Sequence, residues 1–169
     1  MIFSALQVDG TFPLTEAHVN ASKGAPDVIV SLRWNSEKND YGAPGMIVAM
    51  EGRRNTGTHA SLSRFDLHNT LVCAGPDFKS GFVNRLPSGN IDVAPTVLSI
   101  LGLEPPRKMD GRVLFEAMTQ PDAPDLKPRE EKREAASTHG FLTWNQYLKK
   151  TYVGYTSYFE EGNGEPSLR

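Results

Sequence analysis

The chain has 169 residues, of which 38% are hydrophobic and 22% are charged. This length and composition fit one compact globular domain over residues 1–169 and exclude collagen-like and low-complexity chains. Lys and Arg number 18 against 20 Asp and Glu, a formal net charge of −2. Without a basic excess, the sequence predicts neither a nucleic acid nor an anionic membrane surface as a partner. The charge-free apolar stretch at 93–103 is also too short to span a bilayer.

Three short apolar runs, at 27–32, 46–50 and 71–74, have the composition of β-strands. The segment between the first two, 39–45, is dense in turn residues, so these runs predict two strands joined by a loop. The third run predicts a buried strand. It contains Cys73, the one cysteine of the chain, which excludes an intramolecular disulfide and is expected to be a small buried side chain rather than a reactive thiol.

The clearest predicted helix begins at Asp92 and ends at Gly102. Asp92 is a favourable N-cap residue, and Pro95 falls in the first turn, where its missing N–H costs nothing. Gly102 stands where a left-handed residue commonly ends a helix. The apolar residues of this segment follow an i, i+4, i+7, i+8 pattern, which predicts that one face packs in the core. They are Val93, Val97, Ile100 and Leu101.

The last third of the chain contains two segments of different composition. Residues 120–137 are rich in Pro, Lys, Arg and Glu and predict a charged linker or excursion in solvent. Its acidic residues alternate with basic ones, which indicates a solvated face rather than a catalytic dyad. Residues 141–160 are rich in aromatic side chains around Gly154 and predict a C-terminal β-hairpin or pair of strands. The acidic residues of the linker are Glu130, Glu131 and Glu134.

Three residues are candidates for metal or acid–base chemistry. His59 lies between a glycine-containing loop and an apolar segment, where an imidazole can reach into a cleft, although most lone loop histidines bind nothing. Asp66 and His68 are two residues apart, which on an extended segment would point both side chains to the same side. Together the three could supply three of the four ligands of zinc. The alternative is that His68 forms a hydrogen bond to a backbone carbonyl or a carboxylate in a buried turn.

Several enzyme classes are excluded by missing motifs. The sequence contains no G-x-S-x-G nucleophile elbow, no phosphate-binding loop, no H-E-x-x-H zinc motif and no dinucleotide fingerprint.

Three motifs stand in order along residues 26–118. The first is Gly-Thr-His-Ala-Ser-Leu at 57–62, followed by a run that ends in Gly-Pro at 75–76; the second is Asp-Val-Ala-Pro-Thr at 92–96; the third is Asp-Gly-Arg-Val-Leu at 110–114. In this order and spacing they resemble the C-terminal half of alkaline phosphatase superfamily proteins, in the branch of sulfatases and type I phosphodiesterases or nucleotide pyrophosphatases. The aromatic end of the chain resembles the last strands of these proteins.

This resemblance implies a partial alkaline-phosphatase-like α/β fold, in which helices flank a mixed sheet and a β-hairpin ends the chain. It implies that His59 is a metal ligand and that Asp92, Pro95 and Thr96 are structural. It implies zinc as the cofactor, with calcium as the alternative in the sulfatase branch, and a phosphate or sulfate ester as the substrate. No catalytic residue is assigned, because the nucleophile and the other ligands of the family precede the His59 motif, and no matching segment occurs among the 56 residues before Gly57.

Two functions follow as alternatives. The chain is expected to be the C-terminal segment of a metal-dependent hydrolase, inactive in isolation because one ligand does not hold a catalytic metal. Alternatively it is a non-catalytic binding module, which the missing nucleophile and Ala60 in place of the second glycine of the family motif favour. We also expect a homo-oligomer formed through exposed sheet edges. The substrate stays open, since Arg53, Arg54 and Arg85 are only candidate anion contacts, and the sequence indicates no compartment.

Overall fold

The computed structural model describes residues 1–19, 23–47, 61–119 and 124–168. These residues form both helices and β-sheets, so the predicted α/β class is confirmed at that level. They fall into two compact units. The first unit comprises Met1–Asn69, Lys132–Lys149 and Phe159–Arg169, and the second comprises Thr70–Glu131 and Lys150–Tyr158.

A small mixed sheet forms the N-terminal part of the first unit. Its central strand is β1 (Ile2–Ser4), which pairs in parallel with β2 (Phe12–Pro13) and antiparallel with β3 (Val28–Val30). β3 lies within the run at 27–32, so the strand predicted there is confirmed. β1 and β2 are too short for a two-residue alternation to be visible in the sequence.

The apolar core of the first unit forms around this sheet. Phe3 and Phe12 are opposite each other on β1 and β2, and their ring centroids are 6.1 Å apart. Both rings are almost fully buried, so they contribute a large share of the hydrophobic stabilisation of this unit. The buried residues of this core are Met1, Phe3, Phe12, Leu14, Leu62 and Leu148.

A single helical turn, α1 (Arg64–Leu67), also belongs to the first unit. It begins at Ser63, whose buried hydroxyl accepts a hydrogen bond from the backbone N–H of Phe65 at 3.2 Å. A serine in this position supplies one of the acceptors that the first turn of a helix lacks. The Phe65 ring meets the Trp34 indole edge-on, with the Arg64 guanidinium 5.4 Å from the indole centroid. These contacts fix the orientation of the turn.

A second sheet contains three long strands in sequential order. The two connections between them have two residues each and begin at Gly140 and Gly154, with φ of 60° and 61°. A positive φ at the first of two turn residues is what a type II′ hairpin turn requires. The hairpin predicted over 141–160 is therefore confirmed. The strands are β4 (Pro128–His139), β5 (Leu142–Val153) and β6 (Thr156–Leu168).

The main helix of the second unit is α2 (Val93–Ile100), which follows a 3₁₀ turn over Asn90–Asp92. Gly102 has a φ of 65° and ends the helix, as predicted. The N–H of Leu103 donates to the carbonyl of Leu98 at 2.9 Å, and that of Gly102 donates to Ser99 at 3.1 Å. This pair of bonds is a Schellman ending, which satisfies carbonyls that the helix leaves open.

Two predictions about this helix are wrong. The Asp92 side chain makes no capping bond to α2, because other donors take its carboxylate. The apolar stripe also does not face the core: Val93, Val97 and Leu101 are exposed, whereas Pro95 and Thr96 are buried. The apolar residues do lie on one side of the helix, as their spacing predicted. The side that faces inward is instead the one with Thr96, whose buried hydroxyl accepts a hydrogen bond from the N–H of Leu114.

The prediction of a buried strand at 71–74 is also wrong. These residues form no strand, and Val72 is 82% exposed. Cys73 is exposed as well, contrary to the expectation of a buried side chain. A run of four apolar residues becomes a strand only if another strand pairs with it, and no described strand does so.

The charged stretch at 120–137 contains β4 from Pro128 onward, so that part is a strand instead of a linker. Most of its side chains are nonetheless exposed, as a solvated segment predicts. This segment is a strand because it is hydrogen-bonded to β5, although it has no apolar face. Of the run predicted at 46–50, Ile47 forms only an isolated bridge to Trp34, and 48–50 lie outside the described residues.

No helix in the described parts of the chain has the length and apolar character needed to cross a bilayer.

Candidate functional site

The predicted metal ligand His59 lies outside the described residues, as do Arg53, Arg54 and Ala60. Its role therefore stays a prediction. The segment from Ser61 onward is hydrogen-bonded to other parts of the first unit. The N–H of Leu62 donates to the Ser31 hydroxyl at 3.3 Å, and the carbonyl of Leu62 accepts from the N–H of Gly162 at 2.8 Å. The segment that follows His59 is thus anchored to two other parts of the first unit.

Asp66 and His68 do not act together. They lie on and just after the α1 turn, where side chains two residues apart point about 200° away from each other. The predicted same-side arrangement is wrong because the segment is helical instead of extended. Asp66 accepts a hydrogen bond from the Ser61 hydroxyl. The described residues contain no group of three or more His, Cys, Asp or Glu that could hold a metal ion.

His68 instead contacts Glu160, which the sequence did not indicate. Its Nε2 lies 2.9 Å from a carboxylate oxygen of Glu160, and the imidazole is 56% exposed. The alternative for His68 is correct only in that its partner is a carboxylate, since the contact is on the surface and not in a buried turn. The two residues are 92 positions apart, so no local pattern could have revealed the pair.

A charged group surrounds Glu161 of β6 in the same unit. Its carboxylate, 9% exposed, accepts a bond from the ammonium of Lys149 and lies 3.7 Å from the Arg64 guanidinium. Burial raises the pKa of the nearby Tyr147 phenol, and the charge and hydrogen bond of Glu161 raise it further.

A cleft of about 840 Å³ opens in the first unit between residues 33–35 and the long sheet. Its charged lining residues balance each other, two basic against two acidic, so it has no net attraction for an anionic ester. Lys132 forms an ion pair with Glu134, two residues further along β4. The charged residues are Arg33, Lys132, Glu134 and Glu165.

The most fully buried polar group in the second unit is the carboxylate of Asp92, with 0% exposure. One oxygen accepts from the backbone N–H of Arg112 at 2.8 Å. The other accepts from the N–H of Gly89 and from the hydroxyl of Tyr158, both at 2.9 Å. Three segments distant in sequence, at 89–92, 112 and 158, therefore meet at one carboxylate.

The Arg112 guanidinium continues this network. It forms a bidentate pair with Glu116, at 2.9 and 2.7 Å, and donates to the Tyr158 oxygen at 3.0 Å and to the Pro87 carbonyl at 2.9 Å. Burial alone would lower the pKa of Arg112, but the bonds and charge of Glu116 and Tyr158 outweigh it and raise the pKa. Arg112 and Glu116 are four residues apart, but this segment is not an α-helix, so the helical spacing rule could not have indicated the pair.

Tyr158 closes the network. Burial raises the pKa of its phenol well above the ordinary value, and the hydrogen bond to Asp92 adds to that effect. No buried polar side-chain atom in the described part of the chain lacks a partner. With its donors and acceptors satisfied, this network holds the fold together and leaves no group aimed at a substrate.

Two further contacts join the second and third motifs of the sequence. The Thr96 hydroxyl accepts from the N–H of Leu114 at 3.1 Å. Gly111 lies so close to Ile91 that an added Cβ would be 1.9 Å from the Ile91 carbonyl oxygen, so only glycine fits there. Arg85, a candidate anion contact, is exposed and makes no ion pair with another described residue.

Comparison with known proteins gives no assignment: no protein-family model matches this chain, and no solved structure matches it.

Proposed function

We propose that this chain is the C-terminal segment of a metal-dependent hydrolase of phosphate or sulfate esters, of the alkaline phosphatase superfamily. In this proposal it contributes His59 as one ligand of the metal, and zinc would supply Lewis-acid activation of the ester. The nucleophile and the remaining ligands come from sequence that precedes this segment. The chain by itself is then inactive as a hydrolase.

One observation carries the proposal. The residues of the second and third motifs were selected by their resemblance to the family, and they are also the ones that meet in the buried network of the second unit. Asp92 binds Arg112, Thr96 binds Leu114, and Gly111 packs on the chain beside Asp92. A chance match of letters would not be expected to select residues that depend on each other. This supports a shared structural origin, in which these motifs hold the fold and His59 serves the chemistry.

The reading frame upstream of Met1 provides the first test. We expect it to continue and to encode a Ser, Thr or Cys nucleophile together with aspartate ligands. The longer protein should then hydrolyse p-nitrophenyl phosphate, bis(p-nitrophenyl) phosphate or p-nitrophenyl sulfate. His59→Ala should lower that activity by at least about 100-fold, because removing a metal ligand costs more than the 10–100-fold typical of its supporting residues. His139→Ala, in an exposed position at the end of β4, is the matched control and should leave it unchanged.

A stop codon directly before Met1, or full activity in His59→Ala, would contradict the proposal. The zinc content of the purified 169-residue chain gives an independent check. After dialysis against zinc we expect well below one ion per chain in wild type and in both variants. One zinc per chain that is lost in His59→Ala would show that the chain holds a complete site, and the inactive-segment proposal would fail.

A non-catalytic interaction module is the second candidate function. It is favoured by the apolar residues that α2 exposes to solvent, because such a surface is typical of proteins that bind other proteins.

A further inference from the structure

The hydrogen-bond ladder between β1 and β3 continues as far as Met1. The α-amine of Met1 donates to the carbonyl of Ser31 at 2.6 Å, and the N–H of Ser31 donates to the carbonyl of Met1 at 2.9 Å. Two opposite residues that exchange both bonds form a hydrogen-bonded pair of an antiparallel ladder. The pairing of the two strands is therefore still in full register at Met1.

Met1 has the surroundings of an interior strand residue. Its side chain is 2% exposed and belongs to the core that contains Phe3 and Leu148. Burial lowers the pKa of its α-amine below the ordinary value, because the charged form loses contact with water. A peptide N–H at the same place would keep the bond to Ser31 and would bury no charge. The environment of Met1 thus favours an amide over a free ammonium.

The backbone after β3 offers a place for further pairing. Within the described part of the chain, neither Leu32 nor Arg33 has a backbone hydrogen bond. N–H groups alternate in direction along an extended chain. The N–H of Ser31 points to β1, and that of Trp34 points to the other side, where the Asn163 side chain accepts it at 3.3 Å. The N–H of Arg33 therefore points to the β1 side.

An apolar row on this strand also extends past β1. Side chains two residues apart share one face of a strand, so Val28, Val30 and Leu32 lie together. They are 51%, 62% and 46% exposed. Val30 is opposite Ile2 of β1. By the same register, the position opposite Leu32 comes directly before Met1.

We propose that the residues preceding Met1 continue β1 and pair antiparallel with Leu32 and Arg33. This inference rests on the proposed function, in which further sequence precedes this segment. The first preceding residue lies opposite Leu32, and the second exchanges two hydrogen bonds with Arg33. We expect the first to be apolar, because its side chain lies on the face of Leu32 and covers it.

The covalent connection decides what occupies this position. A residue joined to the Met1 nitrogen begins at the end of the ladder, beside Leu32, whereas a second copy of the chain would have to reach it from solution. The N–H of Met1 is held by Ser31. A trans peptide bond then directs the carbonyl of the preceding residue away from β3, which is its direction in a strand.

The test is amide hydrogen exchange, measured by NMR, on the 169-residue chain and on the same chain preceded by Ser-Thr-Val. The added valine is then opposite Leu32 and the added threonine opposite Arg33. We expect the Arg33 N–H to exchange at least about tenfold more slowly in the extended chain, because it donates to the threonine carbonyl. The Leu32 N–H points to the other side of the strand, so its exchange rate should not change.

A chain preceded by Ser-Gly-Gly is the matched control. It removes the same charge from the Met1 nitrogen, but glycine has a low strand propensity and no side chain to cover Leu32. It should therefore slow the exchange of Arg33 less than Ser-Thr-Val does.

Three results would overturn the proposal. The first is an unchanged exchange rate of Arg33 in the Ser-Thr-Val chain, and the second is equal slowing of Leu32 and Arg33, which would indicate general stabilisation instead of pairing. The third is equal slowing of Arg33 by both extensions, which would indicate that removal of the charge is sufficient. The readout is amide exchange, so its failure is distinct from a failure of the proposed hydrolase function, which is read out by activity and zinc content.

Discussion

The two units bury different chemistry. The first unit encloses aromatic and aliphatic side chains, with Phe3, Phe12 and Leu148 at its centre. The second unit encloses a carboxylate, a guanidinium and a phenol, from Asp92, Arg112 and Tyr158, and it exposes apolar side chains of α2. An apolar core tolerates substitutions of similar volume, whereas a buried polar network depends on every member. The second unit thus gains a defined geometry but leaves apolar surface uncovered.

Asp92→Ala is the strongest way to break the second unit. It removes the acceptor of two backbone N–H groups and of the Tyr158 hydroxyl, and we expect a loss of about 3–5 kcal/mol in the free energy of unfolding. Chemical denaturation of the variant measures this loss. Asp110→Ala removes an exposed carboxylate from the same motif region and should change the free energy by less than about 0.5 kcal/mol. Equal effects of the two variants would refute the central role of Asp92.

Phe3→Ala is the corresponding test of the first unit. Its ring is 2% exposed and packs on Phe12, so the lost burial and the cavity should cost about 3–4 kcal/mol. The same denaturation experiment applies, with Phe141→Ala as control because that ring is 84% exposed beside Gly140. Phe3→Leu should recover part of the loss, since an apolar core accepts a side chain of related volume. If Phe3→Leu lowered the free energy of unfolding as much as Phe3→Ala, this core would tolerate substitution no better than the polar network does.

The smallest expected effect is a pH-dependent change in stability from the ion pair of Glu116 with Arg112. Burial alone would raise the pKa of Glu116, but the hydrogen bonds from Arg112 and Asn84 outweigh it and lower the pKa below the ordinary value. A carboxylate with a lowered folded-state pKa stabilises the protein above its unfolded pKa, and this stabilisation is lost as pH falls through the folded value. The ion pair should contribute about 1.5 kcal/mol at pH 7 and progressively less below about pH 4.5.

Denaturation of wild type and Glu116→Gln between pH 7 and pH 3 measures this contribution. Glutamine does not ionise, so the variant should lose less stability on acidification than wild type. Glu130→Gln, on an exposed part of β4, should follow the wild-type curve. Parallel curves for wild type and Glu116→Gln would mean that the pair has no pH-dependent role.

Local patterns predicted several elements well. The helix at 92–102 was specified by its proline, its glycine and its apolar spacing, and the hairpin at 141–160 by its aromatic residues and Gly154. Elements that depend on distant partners were missed. β4 consists largely of charged residues and is a strand only because β5 pairs with it, while 71–74 has strand composition but no strand beside it.

Some residues of the candidate site could likewise be predicted from the sequence, and others could not. The resemblance selected Asp92, Thr96 and Gly111 from the sequence, and all three prove to be buried or closely packed. His59 stays a prediction, because it lies outside the described residues. The pair of His68 and Glu160 joins positions 92 residues apart, so sequence spacing gave no signal for it.

The sequence by itself determined where α2 begins and ends and which of its residues form an apolar stripe, because helical period and end signals act within a few residues. It also determined the hairpin turn, because glycine adopts the positive φ that such a turn requires. Only the tertiary structure decided which side of α2 faces inward. That choice depends on hydrogen bonds from Arg112, Leu114 and Tyr158, which reach Asp92 and Thr96 across long separations in the chain.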